Sequence, residues 1–217
     1  MKPATLIFLL LILIAAGCKN PKPDLSGLKD DVDATKMDTQ DMSDSTVPEM
    51  DSAAMNRAYE AWMTPGDMHK WMSKWDGTWT ADVTAYMDPS APEKSTATVV
   101  NKMAMNGLYQ MSDYTGTMMG MPFQGHGIMA YDNAKKEFVS TWIDNMGSGI
   151  MVMTGQFDAA TNTLHLKGTS TDPLTGKDAM IRQEVKYVDD NTHSFTIWGE
   201  MQGKEEKFMD ATMKRKS

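Results

Sequence analysis

Cys18 is the one cysteine among 217 residues, so the chain cannot form an internal disulfide. Its neighbours give it a different chemistry. Met1-Lys2 is a short basic start, and Ala4 to Ala16 is an uncharged apolar run of 13 residues. A helix needs about 20 apolar residues to span a bilayer, so this run fits the h-region of a signal peptide instead. Ala15-Ala16-Gly17-Cys18 ends it. Small residues directly before a lone cysteine in that place form a lipobox pattern, cut before Cys18, whose thiol then carries lipid. Leucine is more usual where Ala15 stands. Two or more acyl chains anchor a protein stably, whereas one does so only marginally. The expected product is a lipoprotein held by acyl groups (palmitate among them) at the cell membrane or outer membrane, facing the periplasm or cell surface. A lipidated Cys18 also leaves no thiol for catalysis.

The 23 methionines are the second unusual feature. Met103/Met105, Met118/Met119/Met121 and Met151/Met153 include Met-x-Met spacings. Strand residues two apart share a face, so two thioethers there would suit one soft Cu(I) ion. Met118, Met119 and Met121 are the best set for that alternative. Methionine also replaces Leu or Ile in a core or lines an adaptable apolar pocket. Methionines populate the polar N-terminal stretch and the helical stretch as well, without a common spacing. Packing is therefore the reading adopted, with no metal and no cofactor expected.

The four histidines are His69, His126, His165 and His193, and no pair has a ligand spacing such as His-x-x-x-His. His69 sits in the first turn of a predicted helix, to cap or to pack. His165 and His193 fall on predicted strands, at the surface or half-buried. His126 lies between Gly125 and Gly127, which allow close backbone approach by a ligand. There is no Gly-x-Ser-x-Gly elbow and no phosphate-cradling loop before a helix. The segments Met119-Gly120-Met121-Pro122 and Asn145-Met146-Gly147-Ser148-Gly149 sit between strands, where turn chemistry explains them. Asp144-Asn145 is an ordinary turn entry, with an acid–base role for Asp144 as the alternative. No catalytic set emerges, and the sequence leans away from an enzyme.

These residues need elements to place them. Residues 19–51 are rich in Asp, Ser, Thr and Pro and poor in aliphatic side chains, so they cannot offset their own ordering entropy and read as an extended acidic tether. Residues 52–63 have helical propensity, with Met55, Tyr59, Trp62 and Met63 on one stripe. Thr64 is placed to cap a second helix, with Pro65 at its first position and Asp67 in its first turn. That helix ends near Gly77 and buries Met68, Trp71, Met72 and Trp75. From Gly77 the period becomes two: Trp79, Ala81, Val83, Ala85 and Met87 alternate with polar residues. About ten strands follow one another through short turns, which makes neighbours antiparallel. An up-and-down antiparallel barrel removes the sheet edges and is the fold expected, ahead of a β-sandwich. The domain boundaries are 1–17 for the signal peptide, 18–51 for the lipidated cysteine and tether, and 52–217 for helix and barrel.

Hydrophobic residues make up 41% and charged residues 23%, the balance of an ordinary globular protein. A net charge of −8 argues against nucleic acid as a partner and against electrostatic adhesion to anionic lipid.

Two stretches carry a family likeness. Met118-Met119-Gly120-Met121-Pro122-Phe123-Gln124-Gly125-His126-Gly127 leads to Tyr131-Asp132-Asn133, and Phe138-Val139-Ser140-Thr141-Trp142-Ile143-Asp144-Asn145-Met146-Gly147 follows. With Thr64-Pro65-Gly66 and His69 upstream, these resemble domain of unknown function 1579, from about Met63 to Lys214. An apolar residue is usual where His126 stands. The resemblance implies a bacterial, often exported domain without an established activity. Trp75-Asp76-Gly77-Thr78-Trp79 also resembles the Gly-x-Trp start of lipocalin-like barrels. That likeness implies that Trp79 plugs the closed end under a cation from Lys214 or Arg215.

Alternation places Phe138, Ser140, Trp142 and Asp144 on one face, and Phe123, Gly125, Gly127, Met129 and Tyr131 on another. The candidate ligand-binding residues are Tyr114, Met121, Phe123, His126, Trp142, Asp144, Met146 and Arg182. Arg182 shares a strand face with Glu184. If that face points inward, Arg182 holds a ligand carboxylate; if outward, both are solvated. The expected function is a membrane-tethered barrel for a small apolar or amphipathic ligand. The alternatives are a structural or interaction lipoprotein with a filled barrel, copper binding by methionine, or an enzyme of unknown type.

Overall fold

The computed structural model describes residues 51–217 apart from 89, 202 and 203. The expected signal peptide, Cys18 and the expected tether up to residue 50 lie outside the described residues.

The elements run α1 (Ser52–Met63), α2 (Asp67–Ser73), β1 (Gly77–Ala85), β2 (Glu93–Ala104), a 3-10 turn (Met105–Gly107), β3 (Tyr109–Met118), β4 (Met121–Asp132), β5 (Glu137–Asp144), β6 (Met151–Asp158), β7 (Thr163–Thr171), β8 (Asp178–Asp189), β9 (Thr192–Met201) and β10 (Lys204–Arg215). Each strand pairs antiparallel with the next, and β10 returns to β1, with Trp79 opposite Arg215 and Ala85 opposite Met209. All ten strands have two neighbours, so the sheet is a closed barrel and the sandwich alternative falls. Full closure leaves no backbone edge to pair with another chain.

β1 shows why these residues make strands. Trp79, Ala81, Val83 and Ala85 are buried while Thr78, Thr80, Asp82 and Thr84 face away, the period-two pattern of a half-buried strand. The barrel has one sealed end. There Trp71 packs on Trp75, Phe138 and Phe157, at centroid distances of 4.7, 5.6 and 4.7 Å. Gln110, buried, donates from Nε2 to the Met72 carbonyl at 2.6 Å. A seven-residue helix such as α2 is not stable alone. Burying Trp71 and Met72 contributes about 2–3 kcal/mol each and holds it in the barrel end.

Two local expectations are corrected. Gly66, not Thr64, is the N-cap of α2, and Pro65 and Thr64 lie outside it. Thr64 is extended and donates its hydroxyl to the Glu60 carbonyl at 2.6 Å, so it closes α1 instead. His69 Nδ1 takes the hydrogen bond from the Gly66 N–H at 3.0 Å, supplying the cap from inside the helix. The stripe of α1 is exposed: Met55, Tyr59, Trp62 and Met63 are 41–59% accessible. Asn133 in the β4–β5 turn holds that helix by donating to the carbonyls of Ala61, Trp62 and Thr64. The second correction is His193, which is fully buried rather than at the surface or half-buried.

Candidate functional site

Above the aromatic floor the barrel encloses a cavity of about 800 Å³. Pockets that take one small molecule run to about 300–1,000 Å³. The floor is Trp75 with Asn101 and Gln110. The mouth lies at the other end, among the β3–β4, β5–β6 and β7–β8 turns, where Met118, Met119, Met146, Ile150 and Pro173 reach the cavity. Met119, Ile150 and Leu174, which sits beside Pro173, are 45, 69 and 93% exposed, so an apolar rim surrounds the opening. α1 and its contact with Asn133 sit at the sealed end, so the chain enters the barrel away from the mouth.

Side chains from β3, β4 and β5 build one wall. Tyr114 meets Trp142 edge to face at 5.0 Å, and Phe123 stacks on it at 6.4 Å with 20° between the planes. The indole fits because Gly125 and Gly127 stand opposite Asp144 and Trp142. A Cβ on Gly125 would sit 2.3 Å from the Trp142 ring. Trp142 Nε1 donates to Asp144 Oδ2 at 2.7 Å, and the Met146 N–H donates to Asp144 Oδ1 at 2.8 Å. Asn145 fixes that turn to β4: it donates to the Pro122 carbonyl and accepts from the Gln124 N–H, both at 2.9 Å. The Tyr114 hydroxyl reaches Met213 Sδ at 3.9 Å, and burial pushes its phenol well above the ordinary range.

Five of the eight sequence candidates therefore meet at the cavity: Tyr114, Phe123, Trp142, Asp144 and Met146. Three do not. Met121 lies on the rim, 47% exposed, and does not line the interior. His126 points outward and pairs with Asp113 at 2.8 Å, beside an open groove of about 460 Å³ on the outer wall. Arg182 is also outside. It stacks 3.7 Å over Trp198 and pairs with Glu184 at 2.7 Å and Glu205 at 3.1 Å. Ile181, Gln183 and Val185 face the cavity in its place. Alternation forbids both sets from facing inward.

The methionines of the copper alternative separate as well. Met118 and Met119 line the mouth while Met121 stays outside. Met87, Met129, Met146, Met151, Met153, Met209 and Met213 join them in the cavity wall. That distribution is one of flexible apolar lining. Sequence reading missed Asn101, Gln110 and Gln183 as lining residues. Gln183 was within reach of the same alternation, since it shares parity with Ile181 and Val185. Asn101 is 4% exposed and its Oδ1 has no partner.

The sealed end carries the cation expected for Trp79. Arg215 supplies it, with its guanidinium 4.1 Å from the ring centroid, while Lys214 donates to Thr192 Oγ1 at 2.8 Å. Gly77 has φ +122°, and a Cβ there would sit 2.7 Å from Arg215 Nη1. The glycine of Gly-x-Trp is thus required by both backbone and cation.

Residues 64–215 match the family described as "Protein of unknown function (DUF1579)". Among solved structures, the chain is similar to Rv2717c from M. tuberculosis, with a TM-score of 0.55 and 12% identity over 71% of this chain and 100% of that one. It is also similar to the S-type phycobiliprotein lyase CPES from Guillardia theta, with a TM-score of 0.47 and 8% identity over 69% of this chain and 93% of that one. No curated protein matches it.

Proposed function

We propose, for a chain that belongs to the family described as "Protein of unknown function (DUF1579)", that the barrel binds one small apolar or amphipathic molecule. One observation carries this: a cavity of about 800 Å³, mostly apolar in lining, closed at one end and open at the other. A barrel filled by its own side chains, the structural alternative, would leave no such volume. The floor of Trp75, Asn101 and Gln110 stops a ligand from passing through. The methionines let the wall adapt to ligand shape. Lipid on Cys18 would hold this binding unit at a membrane, with residues 19–51 giving a reach of at most roughly 100 Å.

The test is native mass spectrometry of the protein purified from its own host, joined to titration with an environment-sensitive apolar dye. A bound small molecule, or dye binding that Ser140→Trp abolishes while the fold persists, is the expected result. A protein that carries nothing and takes up no dye would overturn the proposal.

A further inference from the structure

We infer that the cavity selects a cationic amphiphile, an apolar body with an amine or quaternary ammonium head, over the matching carboxylate. This rests on the ligand-binding proposal above and adds the charge of the ligand to it.

Among the described residues that line the cavity, Asp144 carries the one carboxylate, and there is no Lys, Arg or His. The carboxylate is held in place by two neutral donors, Trp142 Nε1 and the Met146 N–H. Neutral donors orient a charge without cancelling it, so Asp144, half-buried at the mouth and lining the outer groove as well, keeps a net negative group beside the apolar wall. Charges interact more strongly there than in water. The aromatic rings of Trp142, Tyr114 and Phe123 surround the same place, and their negative faces attract a cation. The one arginine that would have received a carboxylate, Arg182, lies outside the barrel and is paired with Glu184 and Glu205. An anionic head would enter beside Asp144 with no cationic side chain among the described lining residues to offset the repulsion.

The experiment uses the chain from residue 19 onward, which retains every described residue. Dodecylamine, dodecan-1-ol and dodecanoate are titrated at pH 7.5, below micelle formation, and binding is read from tryptophan fluorescence. Displacement of the alcohol by the amine shows that both occupy the cavity. The amine is expected to bind at least tenfold tighter than dodecanoate, with the alcohol between them. Asp144→Asn should bring amine and alcohol within about threefold of each other, and Asp144→Glu should restore the preference. Asp113→Asn, which removes a carboxylate from the outer wall, should leave it unchanged. Dodecanoate binding as tightly as the amine to the unmodified chain would overturn the charge inference alone, as would a preference that Asp113→Asn and Asp144→Asn reduce equally. If none of the three probes bound, the ligand-binding proposal would fail and this one with it.

Discussion

Trp142 donates its indole N–H to Asp144 Oδ2 at 2.7 Å, two residues along one face of β5, and its ring lies against two glycines of the neighbouring strand. Strand alternation puts both side chains inside the barrel. The glycines give the indole a place to lie flat against the wall, and the hydrogen bond ties its polar edge to the mouth. The orientation of Asp144 thus depends on residues on β4 that never touch it through side chains.

The two glycines should differ in what they tolerate. A Cβ on Gly125 would meet Trp142 Cζ2 at 2.3 Å and Cη2 at 2.5 Å, so the indole must move. Gly125→Ala is expected to cost about 1–3 kcal/mol, as overpacking does. A Cβ on Gly127 would meet Trp142 Cε3 at 3.3 Å, a contact that a small ring shift relieves. Gly127→Ala should cost under about 1 kcal/mol, part of it offset by the lower entropy of the unfolded chain. Urea unfolding of both variants measures this, and equal losses would mean that the ring does not depend on Gly125.

Much of this was legible in the sequence, and the failures have physical causes. β1 could be read because one of its faces is apolar and the other polar. Phe123, Trp142 and Asp144 followed from the same alternation, and a cation over Trp79, from Lys214 or Arg215, from the Gly-x-Trp likeness. β8 was ambiguous, because Arg182, Gln183 and Glu184 are all polar and long enough to face either way. Ile181 and Val185 on either side held the answer. For His193, parity with Phe195 and Ile197 pointed inward, but the ordinary preference of histidine for half-exposed sites pointed out. The stripe of α1 was legible as well, and among the described residues it stays exposed.

Arg215 should matter more than its half-buried position at the end of β10 suggests. It covers Trp79 and donates to the carbonyls of Lys74, Asp76 and Asp190, so it joins the end of α2, the start of β1 and the β8–β9 turn. Arg215→Ala is expected to cost about 2–3 kcal/mol, since it removes a cation–π contact and three charged hydrogen bonds. Lys214→Ala, on the outer face, should stay within about 0.5 kcal/mol. Thermal melts of the two variants compare them directly, and equal shifts would deny Arg215 this joining role.

Cys18→Ser tests the anchor. If Cys18 carries lipid, the variant should lose its acyl mass, and fractionation should find it soluble outside the cytoplasm or retained with an uncut signal. Labelling with radioactive palmitate should mark the unmodified chain and not the variant. A variant that stayed membrane-bound after signal removal would show that something other than lipid on Cys18 holds it.

His193 makes stability depend on pH. It is fully buried, stacked on Trp75 at 5.0 Å and edge-on to Trp79 at 4.1 Å, and neither ring nitrogen has a partner. Burial, with a smaller push from the Arg215 charge, lowers its pKa to about 4. The unfolded chain takes up a proton near the ordinary value of about 6.5, so it gains protons first as pH falls. Stability is therefore full above about pH 6.5 and drains as pH falls towards 4, by up to about 3 kcal/mol. His69, also lowered by burial, acts in the same direction. The carboxylates with depressed values, Asp88, Asp132, Asp158, Asp172 and Glu205, shed their stabilisation at lower pH, so the interval from 6.5 to 5 isolates the histidines. Urea midpoints at pH 7.5, 6 and 5 should fall for the unmodified chain and fall much less for His193→Phe, which keeps an aromatic ring between the tryptophans. His69 contributes to any slope left in that variant. Identical slopes in both proteins would mean that His193 already finds a proton acceptor in the folded barrel.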